Sequence, residues 1–326
     1  MSDKIVEVKN LVVHYETDEG VVEAVNNVNL DIKKGEVLGL VGETGAGKTT
    51  IALSIMNLLP YPPAHVIQGE VLLEGSNLLE KDKKEMRRIR GKKISMVFQD
   101  PMTALNPVQT VGEQIAEVIR LHNKNLSAAE ITKKAVDMLE TVGIPGERYK
   151  DYPHQFSGGM KQRVVIAIAL ACKPELLIAD EPTTALDVTI QAQVLELMKD
   201  LQKNSGTAML LITHDFGVVA DICNRCAVIY AGEIVELGDL AHIFDHPMHP
   251  YTIGLFHSLP SLDKDVERLR PIPGSVADPT NLPPYCSFYD RCENKCEACR
   301  SENPKLIEVE PGHYVKCIKF VKGREG

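Results

Sequence analysis

No apolar run in this 326-residue chain approaches the ~20 residues that a helix needs to cross a bilayer. Its opening, Met1 to Glu7, also lacks the charged-then-apolar plan of a secretory signal. A cytosolic chain is therefore predicted, and in a reducing compartment its eight cysteines are poor disulfide candidates. Positive charge is in deficit: 36 Lys and Arg face 45 Asp and Glu, for a net charge of −9 and a pI near 5.6. The field of the whole chain thus favours neither nucleic acid nor anionic lipid. One concentrated basic stretch, residues 81–93, sets eight Lys or Arg against two acids. Its aromatic interleaving is too sparse for a nucleic-acid surface, so it reads as a solvated helix face, with a patch facing the cytoplasmic membrane surface as the functional alternative.

What is present is globular in balance, 44% hydrophobic and 25% charged. The length suggests one domain of about 240 residues with an appendage. Residues 5–15 and 21–32 partly alternate apolar and polar positions, with polar breaks at Asn26 and Asn27, and predict strands of an antiparallel layer. From Val37 the pattern becomes apolar strand, glycine loop and helix (residues 51–59), the βα unit of a parallel sheet. Residues 99–155 turn polar, with periodic apolar positions at Val111, Ile115, Val118, Ile119 and then Ile131, Ala135, Met138, Leu139, Val142, and predict an inserted helical subdomain. Residues 164–171, 176–179 and 209–212 return to buried helix or strand. After Phe244 prolines become dense, and a loop-rich tail is expected.

Gly42, Glu43, Thr44, Gly45, Ala46, Gly47, Lys48 and Thr49 fit G-x-x-x-x-G-K-[ST] between the apolar strand and the helix. Glycines let the backbone wrap phosphate oxygens, the amides and helix start supply positive potential, and Lys48 neutralises β/γ charge. Thr49 is placed for Mg²⁺. Such a loop binds a nucleoside triphosphate but does not separate kinases from GTPases or motor ATPases. The apolar residues 176–179 end in Asp180 and Glu181, suited to hold Mg²⁺ and to address the attacking water. Ser157, Gly158 and Gly159 open a strongly apolar helix, a second anion-binding start. Because the first loop already cradles one nucleotide, this second start suits a nucleotide held by another copy.

The order of Gly42 to Thr49, Gln99, Ser157-Gly158-Gly159, Asp180-Glu181, Ala185-Leu186-Asp187 and His214 resembles the ATP-binding cassette of ABC transporters, over about residues 5–245. That resemblance implies an α/β P-loop NTPase: a RecA-like core, an antiparallel β layer and a helical subdomain at about residues 100–160, with a small cysteine-rich extension over residues 246–326. It implies an ATPase in which Lys48 and Thr50 belong to the phosphate site, Tyr15 stacks on adenine with Val25 nearby, and Thr49, Gln99 and Asp180 attend Mg²⁺. Glu181 then serves the attacking water and His214 the γ-phosphate. Asp187 belongs to the loop that links paired sites, and Ser157, Gly158 and Gly159 close on the ATP of a second subunit. Met160 stands where Gln is commoner in that family. Residues 96–107 (MVFQDPMTALNP), His249-Pro250-Tyr251-Thr252 and Pro271-Ile272-Pro273-Gly274 are similar to the ATP-binding subunits of dipeptide and oligopeptide importers, and less exclusively of nickel importers. The implied partners are two permease subunits, a second ATP-binding subunit identical or paralogous, and, indirectly, an extracytoplasmic solute-binding protein. The implied place is the cytoplasmic face of the membrane. A soluble ABC ATPase acting on ribosomes or nucleic acid is the other class. The single cassette, the lack of a coiled-coil insertion and the acidic balance disfavour it, so no nucleic-acid partner is expected.

Five cysteines, Cys286, Cys292, Cys296, Cys299 and Cys317, fall within the last 41 residues, a crowding that suits a metal with one thiol to spare. Spacing alone leaves zinc and iron–sulfur both open. The segments around Cys286 to Cys292 and Pro311 to Cys317 resemble the four-cysteine [4Fe–4S] site of the peptide-importer subunits, which implies Cys286, Cys292, Cys299 and Cys317 as ligands; a tighter turn would substitute Cys296 for Cys299. A structural staple or, in a regulatory variant, a metal-sensing tail is the implied role. Cys172, Cys223 and Cys226 are expected to be plainly buried.

Overall fold

A computed structural model describes residues 3–184, 186–258 and 271–321. Ala185, the first residue of the Ala185-Leu186-Asp187 motif, lies outside them, as does Pro260 of the tail. The chain separates into two compact units, one built from residues up to 6, 31–37 and 72–212, the other from residues 7–30, 38–71 and 213 onward.

In the first unit three parallel strands lie side by side, with Leu176–Asp180 between Ile94–Val97 and Ala208–Thr213. All three are buried throughout, as strands covered on both faces must be. The helical segment is present as expected: Val111–His122 packs on Ala128–Thr141 and on Gly158–Leu170. Both of the first two helices begin with reciprocal caps, Thr110 with Glu113 and Ser127 with Glu130, each worth about 1 kcal/mol. Val111, Ile115, Ile119, Ile131, Ala135 and Leu139 form their common core. Within the basic run, Lys83–Ile89 is a helix capped by Asp82 that buries only Met86. Its cations face solvent.

In the second unit Val37–Val41 pairs in parallel with Arg225–Tyr230, with Leu38 opposite Arg225. A tight turn with both central residues left-handed (Ala231 φ 47°, Gly232 φ 76°) then sends Glu233–Asp239 back antiparallel. The tail departs from the loop-rich expectation. His313–Val315 pairs with Glu233–Asp239 and with Ile307–Glu310, adding two strands, and Pro250–His257 is helical. Strands of three and four residues among prolines carry too little alternation to be read; the exposed ladder of Glu233–Asp239 decides them, as in the bond from the Lys316 amide to the Val235 carbonyl at 2.8 Å.

The two long strands Lys4–Thr17 and Gly20–Lys33 show why their alternation was only partial. Asn10 (φ 48°) and Asn27 (φ 52°) sit in the left-handed region inside strands. Each inserts one residue and flips the buried parity, from Val6 and Val8 to Leu11 and Val13, and from Val25 to Val28, Leu30 and Ile32.

Candidate functional site

The phosphate loop leaves the buried strand Val37–Val41 and enters the helix Lys48–Ile55, which ends at Ile55 rather than Leu59 but starts on the lysine itself. Gly47 caps that helix at φ 99°, and a Cβ there would collide with the Ala24 carbonyl oxygen, so only glycine serves. The buried Lys48 folds its ammonium over the loop, donating to the carbonyls of Gly42 at 2.7 Å and Glu43 at 3.0 Å. Thr44, Gly45 and Thr49 are exposed along the loop and the helix start, whereas Ala46 and Thr50 are buried. The Tyr15 hydroxyl lies 3.3 Å from Thr50 Oγ1, which sets this aromatic ring beside the loop's helix. Val25 is fully buried.

The loop is held from behind by residues of the same unit that the motif reading did not single out for it. The Glu43 amide donates to the Tyr251 hydroxyl at 3.0 Å, and the Gly232 amide to the Ala46 carbonyl at 3.0 Å. The Glu43 carboxylate receives Arg291 through both guanidinium ends, at 2.7 and 3.0 Å. That ion pair raises the Arg291 pKa, while burial raises that of Tyr251. Arg291 also donates from Nε to the Pro273 carbonyl at 3.2 Å and lies over the rings of Tyr230 and Phe288. The segments His249 to Thr252 and Pro271 to Gly274 thus have physical work: the first supplies Tyr251 and the second accepts from Arg291.

In the first unit the parallel register Val97↔Ala179 brings Gln99 and Glu181, each two residues further on, to the same level at the strands' C-terminal ends. Gln99 Nε2 donates to Glu181 Oε2 at 2.9 Å, and Thr184 Oγ1 donates to the same oxygen at 2.9 Å. Glu181 holds φ 45°, an uncommon backbone state for a glutamate that the fold sustains through its amide's bond to the Ile212 carbonyl. Asp180 is buried at the strand end. Its carboxylate and the Thr49 hydroxyl are hard oxygen donors of the kind that magnesium takes. Ser157 caps Gly158–Leu170 by accepting from the Met160 amide, with Ser157 and Gly158 exposed and Gly159 buried against Ile190. Asp187 caps Val188–Ser205 in the same manner, and Val188 stands 83% exposed. His214, in the second unit, is exposed just past the strand Ala208–Thr213, ahead of Asp215, which caps Phe216–Ile222.

Four tail thiols face one another. Each of Cys286, Cys292, Cys299 and Cys317 is raised in pKa first by burial, Cys286 to about 12, and each pair among the four is within electrostatic reach. Cys296 pairs only with Cys299, at 3.5 Å between sulfurs. Cys223 and Cys226 are buried as expected. Cys172 is only half-buried, its thiol 3.7 Å from the Val118 carbonyl.

Residues 25–184 match the family described as ABC transporter, and residues 235–299 the family described as oligopeptide/dipeptide transporter, C-terminal region. The probable peptide ABC transporter ATP-binding protein y4tR of Sinorhizobium fredii is 50% identical over 97% of this chain and 95% of its own. The oligopeptide transport ATP-binding protein OppD of Bacillus subtilis is 51% identical over 96% of this chain and 88% of its own. Among solved structures, the dimeric cassette MJ0796 bound to ADP and Pi superposes with a TM-score of 0.65 at 32% identity, over 72% of this chain and 98% of that one. With a phosphate loop, a strand-end Asp-Glu pair and a capped Ser-Gly-Gly helix built as described, the chain belongs to the ATP-binding proteins of the oligopeptide and dipeptide ABC transporters.

Proposed function

We propose that this chain is the ATP-hydrolysing subunit that powers import of dipeptides or oligopeptides through a separate membrane permease. The observation that carries the reading is Glu181, aligned by Gln99 and Thr184 at the end of a buried strand immediately after Asp180. A carboxylate so held can orient or deprotonate water for attack on the γ-phosphate. Lys48 and the loop amides bind the β/γ-phosphates, Tyr15 stacks on adenine, and His214 contacts the γ-phosphate. Thr49, Gln99 and Asp180 hold magnesium, which when bound supplies charge neutralisation on the phosphates. Ser157, Gly158 and Gly159 close over the ATP of a second subunit, and the exposed Val188 beside Asp187 fits burial in that same contact. Closure with ATP and reopening after hydrolysis is a population shift that two permease subunits can couple to transport, with an extracytoplasmic binding protein delivering the solute.

No helix among the described residues is long and apolar enough to cross a membrane. As an ATP-binding subunit of a transporter, the chain works peripherally, on the cytoplasmic face, docked to its permease. Residues 1–245 form the ATP-binding domain and 246–326 an extension whose Cys286, Cys292, Cys299 and Cys317 hold a [4Fe–4S] cluster. Mutual electrostatic reach of the four thiols, together with the likeness of the segments around them to the cluster-bearing subunits, supports that choice. When bound, the cluster supplies a cross-link between segments too short to build a core.

Purified Glu181→Gln is expected to bind ATP, lose turnover and accumulate as an ATP-dependent dimer, followed by phosphate release and light scattering. Undiminished turnover in that variant overturns the assignment.

A further inference from the structure

Outside the nucleotide and cysteine sites, three ligand-type side chains converge in the second unit. His242 lies on the short helix Leu240–Asp245, Glu310 ends the strand Ile307–Glu310, and His313 opens the strand His313–Val315. One ligand atom from each lies within 4.8 Å of the other two. Among the described residues no other three ligand-type side chains come so close. The register that sets Glu310 opposite His313 comes from the hairpin turn through Gly312. Gly238 makes room on the remaining side: a Cβ there would stand 3.0 Å from His242 Cβ and 3.3 Å from His313 Cδ2.

The imidazoles are prepared as ligands. His313 is fully buried, and its Nε2 lies 2.8 Å from Oε1 of Glu236, itself fully buried. Glu236 also accepts from the amides of Met248 at 2.7 Å and His249 at 3.0 Å, so it acts as an acceptor toward every neighbour. With Glu236 the acceptor, Nε2 of His313 is the donor of that contact, and Nδ1 takes no part in it. Nδ1 of His313 and Nδ1 of His242 are both buried, and neither has a hydrogen-bond partner. Buried nitrogens without partners are rare and cost about 1–3 kcal/mol each, and here two occur side by side on stacked rings with an exposed carboxylate at their edge.

We propose that His242, Glu310 and His313 bind one divalent transition-metal ion of the zinc type, with Glu236 as the carboxylate that orients His313 from behind. Two imidazoles, one carboxylate and a water complete a tetrahedron, and imidazole donors favour zinc over magnesium or calcium. The Glu236–His313 pair reproduces the carboxylate–histidine–metal chain that fixes a ligand's tautomer and ring orientation. Ligands ~2.1 Å from one ion stand ~3.4 Å apart. Reaching that spacing requires the half-buried His242 ring to tilt out of its stack and the exposed Glu310 to swing inward, while His313 stays anchored. The bound ion would tie the helix that follows Asp239 to the terminal hairpin.

The test uses the full chain with its cysteine site intact, cleared of loose metal and titrated with zinc alone by calorimetry. Wild type is expected to show a binding step that weakens about 100-fold or more in His242→Ala and at least about tenfold in Glu310→Gln, with zinc raising the thermal midpoint most in wild type and less in each variant. Magnesium alone should give no such step. His242→Ala removes a half-buried, stacked ring, so ATP turnover with circular dichroism verifies the fold; Glu310→Gln, at an exposed site, decides if His242→Ala does not fold. Coincident zinc isotherms for wild type and the folded variants, or a step abolished by blocking the thiols instead, overturn the proposal.

Discussion

Arg291 and Glu43, 248 positions apart in sequence, meet in a two-pronged ion pair with Nη1 to Oε2 at 2.7 Å and Nη2 to Oε1 at 3.0 Å. The guanidinium is nearly buried and the carboxylate partly so. The residue that follows the first glycine of the phosphate loop is therefore fastened to the residue that precedes Cys292.

Removing the fork should be felt at the nucleotide. Arg291→Ala leaves the Glu43 carboxylate without its cation, and Arg291→Lys keeps charge but loses the planar grip. Both are expected to weaken ATP binding about tenfold, or ~1.4 kcal/mol, with Lys the milder of the two. Equilibrium binding of a fluorescent ATP analogue measures this, and an unchanged Kd in Arg291→Ala would show that the loop holds its shape alone.

Thr184 should affect rate rather than affinity. Its hydroxyl shares Glu181 Oε2 with Gln99, so Thr184→Val loosens the carboxylate without touching the phosphate loop. A fall in kcat of about tenfold, ~1.4 kcal/mol of barrier, with ATP affinity retained, is expected from steady-state turnover. Equal loss of kcat and affinity would point to a folding effect.

His249 makes stability depend on acid. Burial, chiefly, holds it neutral with a pKa depressed to about 3, while its Nδ1 accepts from the Tyr251 amide at 3.1 Å. Its pKa in the unfolded chain is about 6.5, so between those values the unfolded state carries the extra proton and stability falls as pH falls. From roughly pH 7.5 to 5 this one group should contribute a loss of about 2 kcal/mol. Urea unfolding at both pH values should show that loss in wild type and less of it in His249→Asn, which keeps an acceptor but cannot titrate.

The two adjacent cysteines should separate by iron content. Cys299→Ser is expected to lose iron and visible absorbance and to lower the melting temperature, whereas Cys296→Ser should retain all three. The reverse pattern would exchange their roles.

The nucleotide loop, the Asp180-Glu181 strand end and the Ser157 helix start were legible because each is written within about eight residues, at a spacing that backbone geometry dictates. The helical segment was equally legible, since Ile115, Ile119, Ile131, Ala135 and Leu139 keep one period. What escaped was set by distance or by one backbone angle. Nothing local marks Arg291 or Tyr251 as props of a loop some 200 residues earlier, and the strands at Ile307–Glu310 and His313–Val315 exist because an edge accepts them. The left-handed Asn27 likewise shifts Val28, Leu30 and Ile32 out of the parity of Val25, which a plain alternation does not show.

The Tyr251 hydroxyl beneath the Glu43 amide has a practical corollary for anyone shortening the protein. A version cut at residue 245 would retain every recognisable nucleotide motif and still be missing the bolt under its own cradle, so a clipped cassette that hydrolyses ATP poorly would be reporting surgical damage rather than an intrinsic trait of the motor.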